Sequence, residues 1–403
     1  MSPTKLGSGT TLLIKMVAMI KGYISLANIK KAAPAKVLAA VFAGILFYGC
    51  NAVRSLGRYP TGEALEKIEA LPNYRNGQFQ NLDHSVQRTT AVAVSTPSKK
   101  PRWLSLLKFF TRQPKELLPS KPLIAVDTDL VNTTFDKPTV IWFGHSSFLL
   151  KSDSVNILFD PSLSGFAGPF KGAIKAFAGS NVYDEGDMPI LDALVISHDH
   201  YDHLDYITVK RLRNKIKRVI VPIGVGSHFL RWGFPAGMIT EVNWNDSLQL
   251  TNNITIIATP AHHRSNRTLE TRKTLWASYV IRADGYKIYF SGDTGYSSHF
   301  KVIGQQYGPF DLALLECGQY SVKWPHSHMF PHQTAQAAVD VGAAMTIPIH
   351  WGKYAESDHG WNESINLYKK AADSLKVPVL VPFIGMPYTV DSLVETSDWW
   401  NHF

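Results

Sequence analysis

Cysteine is scarce in this sequence, and several familiar signatures are missing. Its 403 residues include only two cysteines, Cys50 and Cys317, which excludes a small domain held together by disulfide bonds. No internal repeat, Walker motif or dinucleotide fingerprint occurs along the chain. Hydrophobic residues make up 45% of the sequence, which is too many for a disordered chain. The length suits one large domain or two ordinary ones.

Acidic residues are absent from the first fifty positions, which contain six lysines. Residues 1–137 hold 19 Lys and Arg against 8 Asp and Glu, a net charge of +11, whereas residues 138–403 have a net charge of −2. The nearly neutral C-terminal part offers no basic groove, so we expect no nucleic-acid partner. The basic N-terminal third instead predicts contact with an anionic surface such as a membrane.

An uncharged apolar run, VLAAVFAGILFYGCNAV, occupies residues 37–53. A helix of that length spans roughly 26 Å, a little less than a bilayer core of about 30 Å. Residues 1–56 are therefore predicted as a cleaved signal, a lipoprotein-like signal cut before Cys50, or a retained membrane anchor. The lysines favour a cytoplasmic location for the N-terminal side. The competing interpretation is a buried core helix.

Residues 57–137 are predicted as a basic arm that packs on the C-terminal domain. Their segment 85–121 is rich in Ser, Thr, Pro and Lys, as connectors often are. Within it, residues 102–112 interleave aromatic and aliphatic side chains with basic ones. This pattern predicts either a short helix lying on a lipid surface or an apolar face packed on the rest of the protein.

The remaining residues, 138–403, are predicted as one domain of the α/β class. Apolar runs rich in β-branched residues predict strands at residues 139–143, 155–159, 193–197, 254–258, 286–290, 312–315 and 345–349. Helices are predicted at residues 204–215, 297–307, 332–343 and 362–374. Because the strands are almost continuously apolar, both faces of the sheet should be covered. Histidines and aspartates follow several strands, at the sheet edge where α/β folds assemble their sites.

The segment ISHDHYDHLD, residues 196–205, concentrates metal-ligating side chains directly after an apolar strand. It places His198, His200, Asp202 and His203 within six positions, and imidazole and carboxylate are preferred ligands of zinc and similar divalent ions. Residues two apart in an extended loop can converge on one ion, and the following Asp-His pair can reach a second. A solvated polar loop is the ordinary alternative, but so dense a cluster favours a metal site.

Three further strand ends carry candidate ligands. ATPAHH ends with His262 and His263, FSGDTG contains Asp293, and IPIHWG contains His350. Each alone has an ordinary interpretation, as a hydrogen-bonded loop histidine or a turn aspartate between glycines. Together with the first motif, they predict seven ligands for two metal ions.

At these motifs the sequence resembles the metallo-β-lactamase superfamily of metal-dependent hydrolases, and more narrowly the N-acylphosphatidylethanolamine-hydrolysing phospholipase D group with its bacterial relatives. The narrower resemblance rests on NYRNGQFQN (73–81), RWL (102–104) and YGPFDLA (307–313). The similarity covers roughly residues 57–390. It implies an αβ/βα four-layer sandwich with the site at its open edge, and it makes residues 138–403 the catalytic domain.

The resemblance also implies roles for individual residues. The family's fourth histidine stands four positions after the Thr of TPAHH, which selects His263 over His262. Zinc is the default cation, and manganese or iron suits the same ligands. The residues implied for a first metal are His198, His200 and His263, those for a second are Asp202, His203 and His350, and the implied bridging residue is Asp293.

Metal-dependent hydrolysis follows from this assignment. The family mechanism implies a hydroxide that bridges the two metals and attacks phosphorus or a carbonyl carbon. Asp202 is predicted to orient it as a base. His328, in the segment WPHSHMFPH, is predicted as a proton donor or substrate contact, against the alternative of a surface histidine in a turn leading into a helix. Weaker candidates are His145, His326 and His332.

The leading functional hypothesis is a phospholipase D-like phosphodiesterase that acts on N-acylphosphatidylethanolamine-type lipids at a membrane surface. The first alternative is a lactone or carboxyl-ester hydrolase with the same ligands. The second is a metal-binding scaffold without turnover, against which the complete ligand set argues.

Overall fold

The computed structural model describes residues 52–83, 117–393 and 397–403. The predicted anchor at residues 37–53 lies almost wholly outside this range, and the basic aromatic segment at residues 102–112 lies entirely outside it. Within the described range, none of the helices is both long and apolar enough to cross a bilayer. The chain divides into two compact units, Met1–Gly57 and Arg58–Phe403, and the elements named below belong to the second.

Short strands and helices follow one another along the second unit. The strands are β1 (Tyr74–Arg75), β2 (Gln78–Phe79), β3 (Thr139–Trp142), β4 (Phe148–Ser152), β5 (Val155–Phe159), β6 (Phe166–Ala167), β7 (Ile174–Lys175), β8 (Ala193–Val195), β9 (Val219–Pro222), β10 (Ile239–Val242), β11 (Ser247–Thr251), β12 (Ile254–Thr259), β13 (Ser278–Ala283), β14 (Tyr286–Phe290), β15 (Leu312–Glu316), β16 (Thr346–Ile349) and β17 (Pro387–Thr389). The α-helices are α1 (Glu63–Glu69), α2 (Tyr206–Leu212), α3 (Gly226–Arg231), α4 (His299–Tyr307), α5 (Pro331–Val341) and α6 (Glu363–Leu375).

Local sequence explains where two of the helices begin and end. The Asp205 side chain caps α2 by accepting hydrogen bonds from the backbone N–H groups of Ile207 and Thr208. Pro331 is the first residue of α5. A backbone N–H at this position has no partner within the helix, so proline loses no hydrogen bond there. Gly342 ends α5 with a φ of 69°, a left-handed conformation that glycine adopts at no steric cost.

Two large mixed sheets carry most of the strands in the described part of the chain. The first has seven strands in the order β10-β9-β8-β5-β4-β3-β17, and the second has six in the order β11-β12-β13-β14-β15-β16. Strands β5, β8, β9 and β10 are parallel, as are β14, β15 and β16. The carboxyl ends of these parallel strands therefore lie along one edge of each sheet.

The facing sides of the two sheets share one apolar core. Phe148 and Phe159 of the first sheet stack with ring centroids 4.4 Å apart. Phe290 of the second sheet meets these rings edge-on, at 5.1 and 5.6 Å. Burying a side chain of this size stabilises the fold by roughly 1.5–3 kcal/mol, so this contact joins the sheets firmly.

Helices cover the outer faces of both sheets. On the first sheet, Leu158 and Leu194 pack with Val209 and Leu212 of α2 and with Phe229 of α3. On the second, α5 contacts β15 and lies against α4 and α6. The order helix, sheet, sheet, helix confirms the predicted α/β class and the four-layer sandwich.

All of the predicted strands and helices are present, and others were not predicted. The predicted helix at residues 204–215 is α2 followed by a 3-10 turn at Arg213–Lys215. The unpredicted elements are β1, β2, β4, β6, β7, β9, β10, β11, β13, β17, α1 and α3. Strands β10, β11 and β17 lie at sheet edges and have partly exposed positions, so they lack a continuous apolar run. For an apolar run as short as β4, hydrophobic periodicity alone does not distinguish a strand from a helix.

Candidate metal centre

Polar side chains follow strands of both sheets and meet where the sheet edges face each other. His198 comes after β8, His263 after β12, Asp293 after β14 and His350 after β16. Gly292 makes the turn before Asp293 possible, since its φ is 55° and a Cβ there would lie 2.9 Å from the carbonyl oxygen of Ala277. The topology therefore collects residues that are far apart in the sequence.

The ligand atoms form two adjacent groups, within each of which they lie no more than 4.8 Å apart. Asp293 joins the groups, because its Oδ2 lies 3.6 Å from His198 Nε2 while its Oδ1 lies 3.1 Å from His203 Nε2. The structure thus brings together all seven side chains predicted as ligands. The first group is His198, His200, His263 and Asp293, and the second is His145, Asp202, His203 and His350.

Several of these atoms are buried and form no hydrogen bond. They are His198 Nε2, His203 Nε2 and both carboxylate oxygens of Asp293. Buried polar atoms are almost always satisfied in native proteins, so these need another partner. A divalent cation in each group would supply it, and the mixture of imidazole and carboxylate suits zinc, manganese or iron. The residues therefore fit a pair of metal ions.

The histidines of the first group are poised as neutral ligands. Burial lowers the pKa of His200 to about 4, because its effect exceeds that of the Asp202 and Asp199 carboxylates, which raise this pKa. Burial, followed by repulsion from neighbouring histidines, also lowers the pKa of His198 and of His263 well below the usual value. Metal ions bind the neutral imidazole, so the environment favours the form that binds.

The carboxylates of Asp202 and Asp293 favour positive charge at the centre. Burial raises the pKa of Asp293 to about 7. Burial opposes a charge on His203, but the carboxylates of Asp293 and Asp202 outweigh it and raise the pKa of this histidine well above its usual value. The site thus stabilises positive charge at the point where a cation would be held.

His145 lies in the second group and holds Asp202 in place. Its Nε2 lies 2.8 Å from Asp202 Oδ2. The backbone N–H of His145 donates to the carbonyl oxygen of Trp351, and the N–H of His350 donates to the carbonyl oxygen of His145. Both histidines have positive φ values, 55° and 65°, a left-handed conformation that histidine adopts more readily than most residues do.

Asp160 supports His203 from behind. Its Oδ2 lies 2.7 Å from His203 Nδ1, and its Oδ1 accepts a 2.7 Å hydrogen bond from the backbone N–H of Ser197. A hydrogen bond at Nδ1 fixes the tautomer and leaves Nε2 for a metal. Asp160 follows β5 and is fully buried, so it acts only through His203 and the loop.

Replacing Asp160 with asparagine should lower metal affinity about 10–100-fold, the usual effect of losing such a partner. Asparagine tolerates the positive φ of 40° at this position, so the fold should persist. Competition with a chelator measures the change. Asp153→Asn is the matched control, because Asp153 is an exposed aspartate with a φ of 53°. Equal affinities in the two variants would contradict the assignment.

Asn81, from the predicted basic arm, fixes the backbone of His263. Its side-chain oxygen accepts from the N–H of His263, and its amide group donates to the carbonyl oxygen of the same residue, both at 3.0 Å. The ring of His263 is held at the other end, since Nδ1 lies 2.8 Å from the carbonyl oxygen of Ser327. His263 is therefore oriented by segments far from it in the sequence.

His328 lies beside the two ligand groups, and its ligand atom forms a third close set with those of Asp293 and His350. Its Nδ1 lies 2.5 Å from Glu316 Oε1, and its ring stacks on His350 with centroids 5.1 Å apart. Burial raises the pKa of Glu316 and lowers that of His328. Burial therefore disfavours the charged form of both partners.

Residues 155–351 match the family model described as Beta-lactamase superfamily domain. The chain is 35% identical over 337 residues to an uncharacterized protein of Mycobacterium tuberculosis, which covers 83% of this chain and 88% of that protein. The chain belongs to the β-lactamase superfamily. Its sheets and helices have the metallo-β-lactamase fold, and its relatives in that superfamily include proteins described as metal-dependent hydrolases.

Two further similarities cover part of the chain. The N-acyl-phosphatidylethanolamine-hydrolyzing phospholipase D 1 of Caenorhabditis elegans is 36% identical over 231 residues, which is 53% of this chain and 63% of that protein. The structure of Igni18, a metallo hydrolase from Ignicoccus hospitalis, superposes with a TM-score of 0.50 at 21% identity. That comparison covers 64% of this chain and 100% of the other, and it supports the fold alone.

Sequence reasoning predicted the side chains that meet at this site but missed the residues that support them. Asp160 carries no local signal beyond its position after a strand. Asn81 lies in the NYRNGQFQN motif, and Glu316 lies in LLECGQY, so both were visible as unexplained polar residues. Neither His326 nor His332 belongs to a group of ligand atoms among the residues described.

Proposed function

We propose that the chain is a phospholipase D-like phosphodiesterase that cleaves N-acylphosphatidylethanolamine-type lipids. The observation that carries this proposal is the pair of ligand groups joined by Asp293. Two cations held side by side would activate water and stabilise charge on the oxygens of an in-line displacement at phosphorus. The similarity to the C. elegans phospholipase supports the lipid substrate.

The proposed reaction is a hydrolysis at phosphorus. A water oxygen forms a bond to phosphorus, and the bond from phosphorus to the N-acylethanolamine oxygen breaks. Asp202, held by His145, orients the water and accepts its proton. The departing oxygen takes a proton, so the products are phosphatidic acid and the free N-acylethanolamine.

His328 is the proposed source of the proton for the departing oxygen. Glu316 engages Nδ1 of this ring, which leaves Nε2 free to face the substrate. The ligand atom of His328 lies within 4.8 Å of those of Asp293 and His350, so a substrate placed on the ligand groups would lie beside it. Glu316 orients the ring and can pass a proton to Nδ1 as Nε2 gives up its own, and solvent then reprotonates the pair.

Incubating the purified chain with N-acylphosphatidylethanolamine vesicles in ¹⁸O-labelled water tests the proposed reaction. We expect N-acylethanolamine and phosphatidic acid, with the label in the phosphate. A panel of lactones and carboxyl esters serves as the comparison. Turnover of the panel without release of N-acylethanolamine would favour the ester-hydrolase alternative, and no turnover of any substrate by the metal-loaded chain would favour the scaffold.

Changing His328 to alanine should separate substrates by their leaving group. A proton donor contributes about 10²–10⁴-fold to rate when the leaving oxygen is basic, as in an alkyl ester. Hydrolysis of a 4-nitrophenyl phosphodiester should be much less affected, because nitrophenolate leaves without a proton. Glu316→Gln should show the same pattern more weakly. His332→Ala, at an exposed position of α5, is the control. An equal loss on both substrates would contradict the role of His328.

The proposed lipid substrate also suggests attachment to a membrane. Residues 37–53 are apolar, and residues 102–112 combine aromatic and basic side chains. Fractionating cells that express the full chain, or the chain without residues 1–56, tests this proposal. We expect the full chain to sediment with membranes and the shortened chain to be released at least in part. A full chain found wholly in the soluble fraction would contradict it.

A further inference from the structure

Arg267 is a buried cation behind the metal-ligand loop. It is 2% exposed, and its Nη1 donates hydrogen bonds to the carbonyl oxygens of Asp199 and Leu204, both at 2.8 Å. These two carbonyls stand at the ends of the segment that carries His200, Asp202 and His203. One nitrogen therefore joins both ends of the loop and limits its width.

The guanidinium of Arg267 is held in this position by aromatic rings. Its central carbon lies 4.4 Å from the ring centroid of Tyr201 and 5.2 Å from that of Trp232. The hydroxyl of Tyr201 donates to the backbone carbonyl of Arg267 at 2.6 Å. Planar stacking and a forked set of donors are properties of arginine that lysine does not reproduce.

Asp199 provides the matching negative charge and faces away from the metal ligands. Its carboxylate accepts hydrogen bonds from the N–H of Asn266 at 3.0 Å and from the hydroxyl of Thr274 at 2.8 Å, and it lies 3.2 Å from His228 Nε2. His228 Nδ1 accepts from the N–H of Arg58, so its proton is on Nε2 and points at Asp199. The Asp199 side chain is thus fully engaged behind the loop.

The position of Asp199 between two ligands explains what this anchoring does. In an extended segment, successive side chains point to opposite sides. Fixing Asp199 on the rear side therefore directs His198 and His200 together toward the first ligand group. Asn266 and Arg267 follow His263 closely, so the same contacts fix the loop against the strand end that supplies the third histidine of that group.

We propose that Arg267 is a positioning residue that sets the geometry of the first ligand group. It acts with Asp199, through the backbone of the loop, and it touches no ligand atom of either group. The second group depends less on it, because Asp160 and His145 hold His203 and Asp202 separately. This inference rests on the metal site alone, so failure of the proposed lipid substrate would leave it standing.

Removing metal from the purified holoprotein with increasing chelator tests the inference. Elemental analysis then gives the metal retained per chain. We expect Arg267→Lys to lose one of its two ions at a chelator concentration about 10–100-fold lower than the unaltered chain, while the second ion is retained normally. Thr274→Val, which removes one hydrogen bond to Asp199, should weaken the same ion less. Arg282→Lys, at an exposed position of β13, is the control.

The selective loss of one ion is a result that a merely structural role of Arg267 does not produce. Metal retention in Arg267→Lys equal to that in Arg282→Lys would overturn the inference. Simultaneous loss of both ions together with unfolding in Thr274→Val would also overturn it. If Arg267→Lys fails to fold, the Thr274→Val measurement decides: weakening of one ion supports the inference and unchanged retention rejects it.

Discussion

Asp293→Ala should abolish activity and metal binding together. This carboxylate belongs to the first ligand group, and its Oδ1 lies 3.1 Å from His203 Nε2 of the second, so it joins the two. A catalytic metal contributes several kcal/mol of transition-state stabilisation, and about 1.4 kcal/mol corresponds to a factor of ten in rate. We therefore expect a loss of at least about 10³-fold. Removing a buried carboxylate also relieves the unsatisfied charge, so the chain should remain folded.

Elemental analysis of the purified variant, together with its rate on the best substrate, measures both effects. Asp373→Ala is a suitable control, because Asp373 is an exposed aspartate on α6 far along the chain from the ligands. It should retain both metals and full activity. An Asp293→Ala protein that keeps two ions per chain would show that Asp293 does not bridge them.

His263→Ala and His262→Ala should differ sharply, although the residues are adjacent. His263 contributes a ligand atom to the first group, and its Nε2 lies 3.3 Å from His200 Nδ1. We expect the loss of this ligand to lower metal affinity by more than about 100-fold. That effect exceeds the loss caused by removing a residue that only hydrogen-bonds a ligand. The backbone of His262 accepts from Gly295 and donates to Thr294, contacts that survive substitution. His262→Ala should therefore retain both ions.

Metal content and activity of the two variants, measured side by side, decide between the neighbouring histidines. The sequence alone leaves both open, and the family motif favours His263. A greater loss of metal in His262→Ala than in His263→Ala would mean that the ligand has been assigned to the wrong residue of the pair.

The side chains that meet at the site were predictable because their signals are local. His198, His200, Asp202 and His203 lie within one loop, and the other ligands directly follow apolar strands. Parallel strands bring such strand ends to one edge, so a one-dimensional pattern translates into a three-dimensional site. The fold class was predictable for the same reason, since buried strands have a continuous apolar signature.

The supports of the site were not predictable, because they are long-range. Asp160 reaches His203 across 43 positions, and Asn81 reaches His263 across 182. No periodicity or motif spacing encodes such pairs. The role of Arg267 is equally hidden: a basic residue in a polar segment is ordinarily exposed, and only the packed structure shows it buried under the loop.

Anomalous scattering from crystals of the purified chain, recorded at the absorption edge of the metal that elemental analysis identifies, shows directly whether these side chains hold two metal ions. We expect two peaks about 3.5–4 Å apart, the usual separation of catalytic metal pairs. One peak should lie among His198, His200 and His263, and the other beside His203 and Asp202. A single ion, or peaks remote from these side chains, would contradict it.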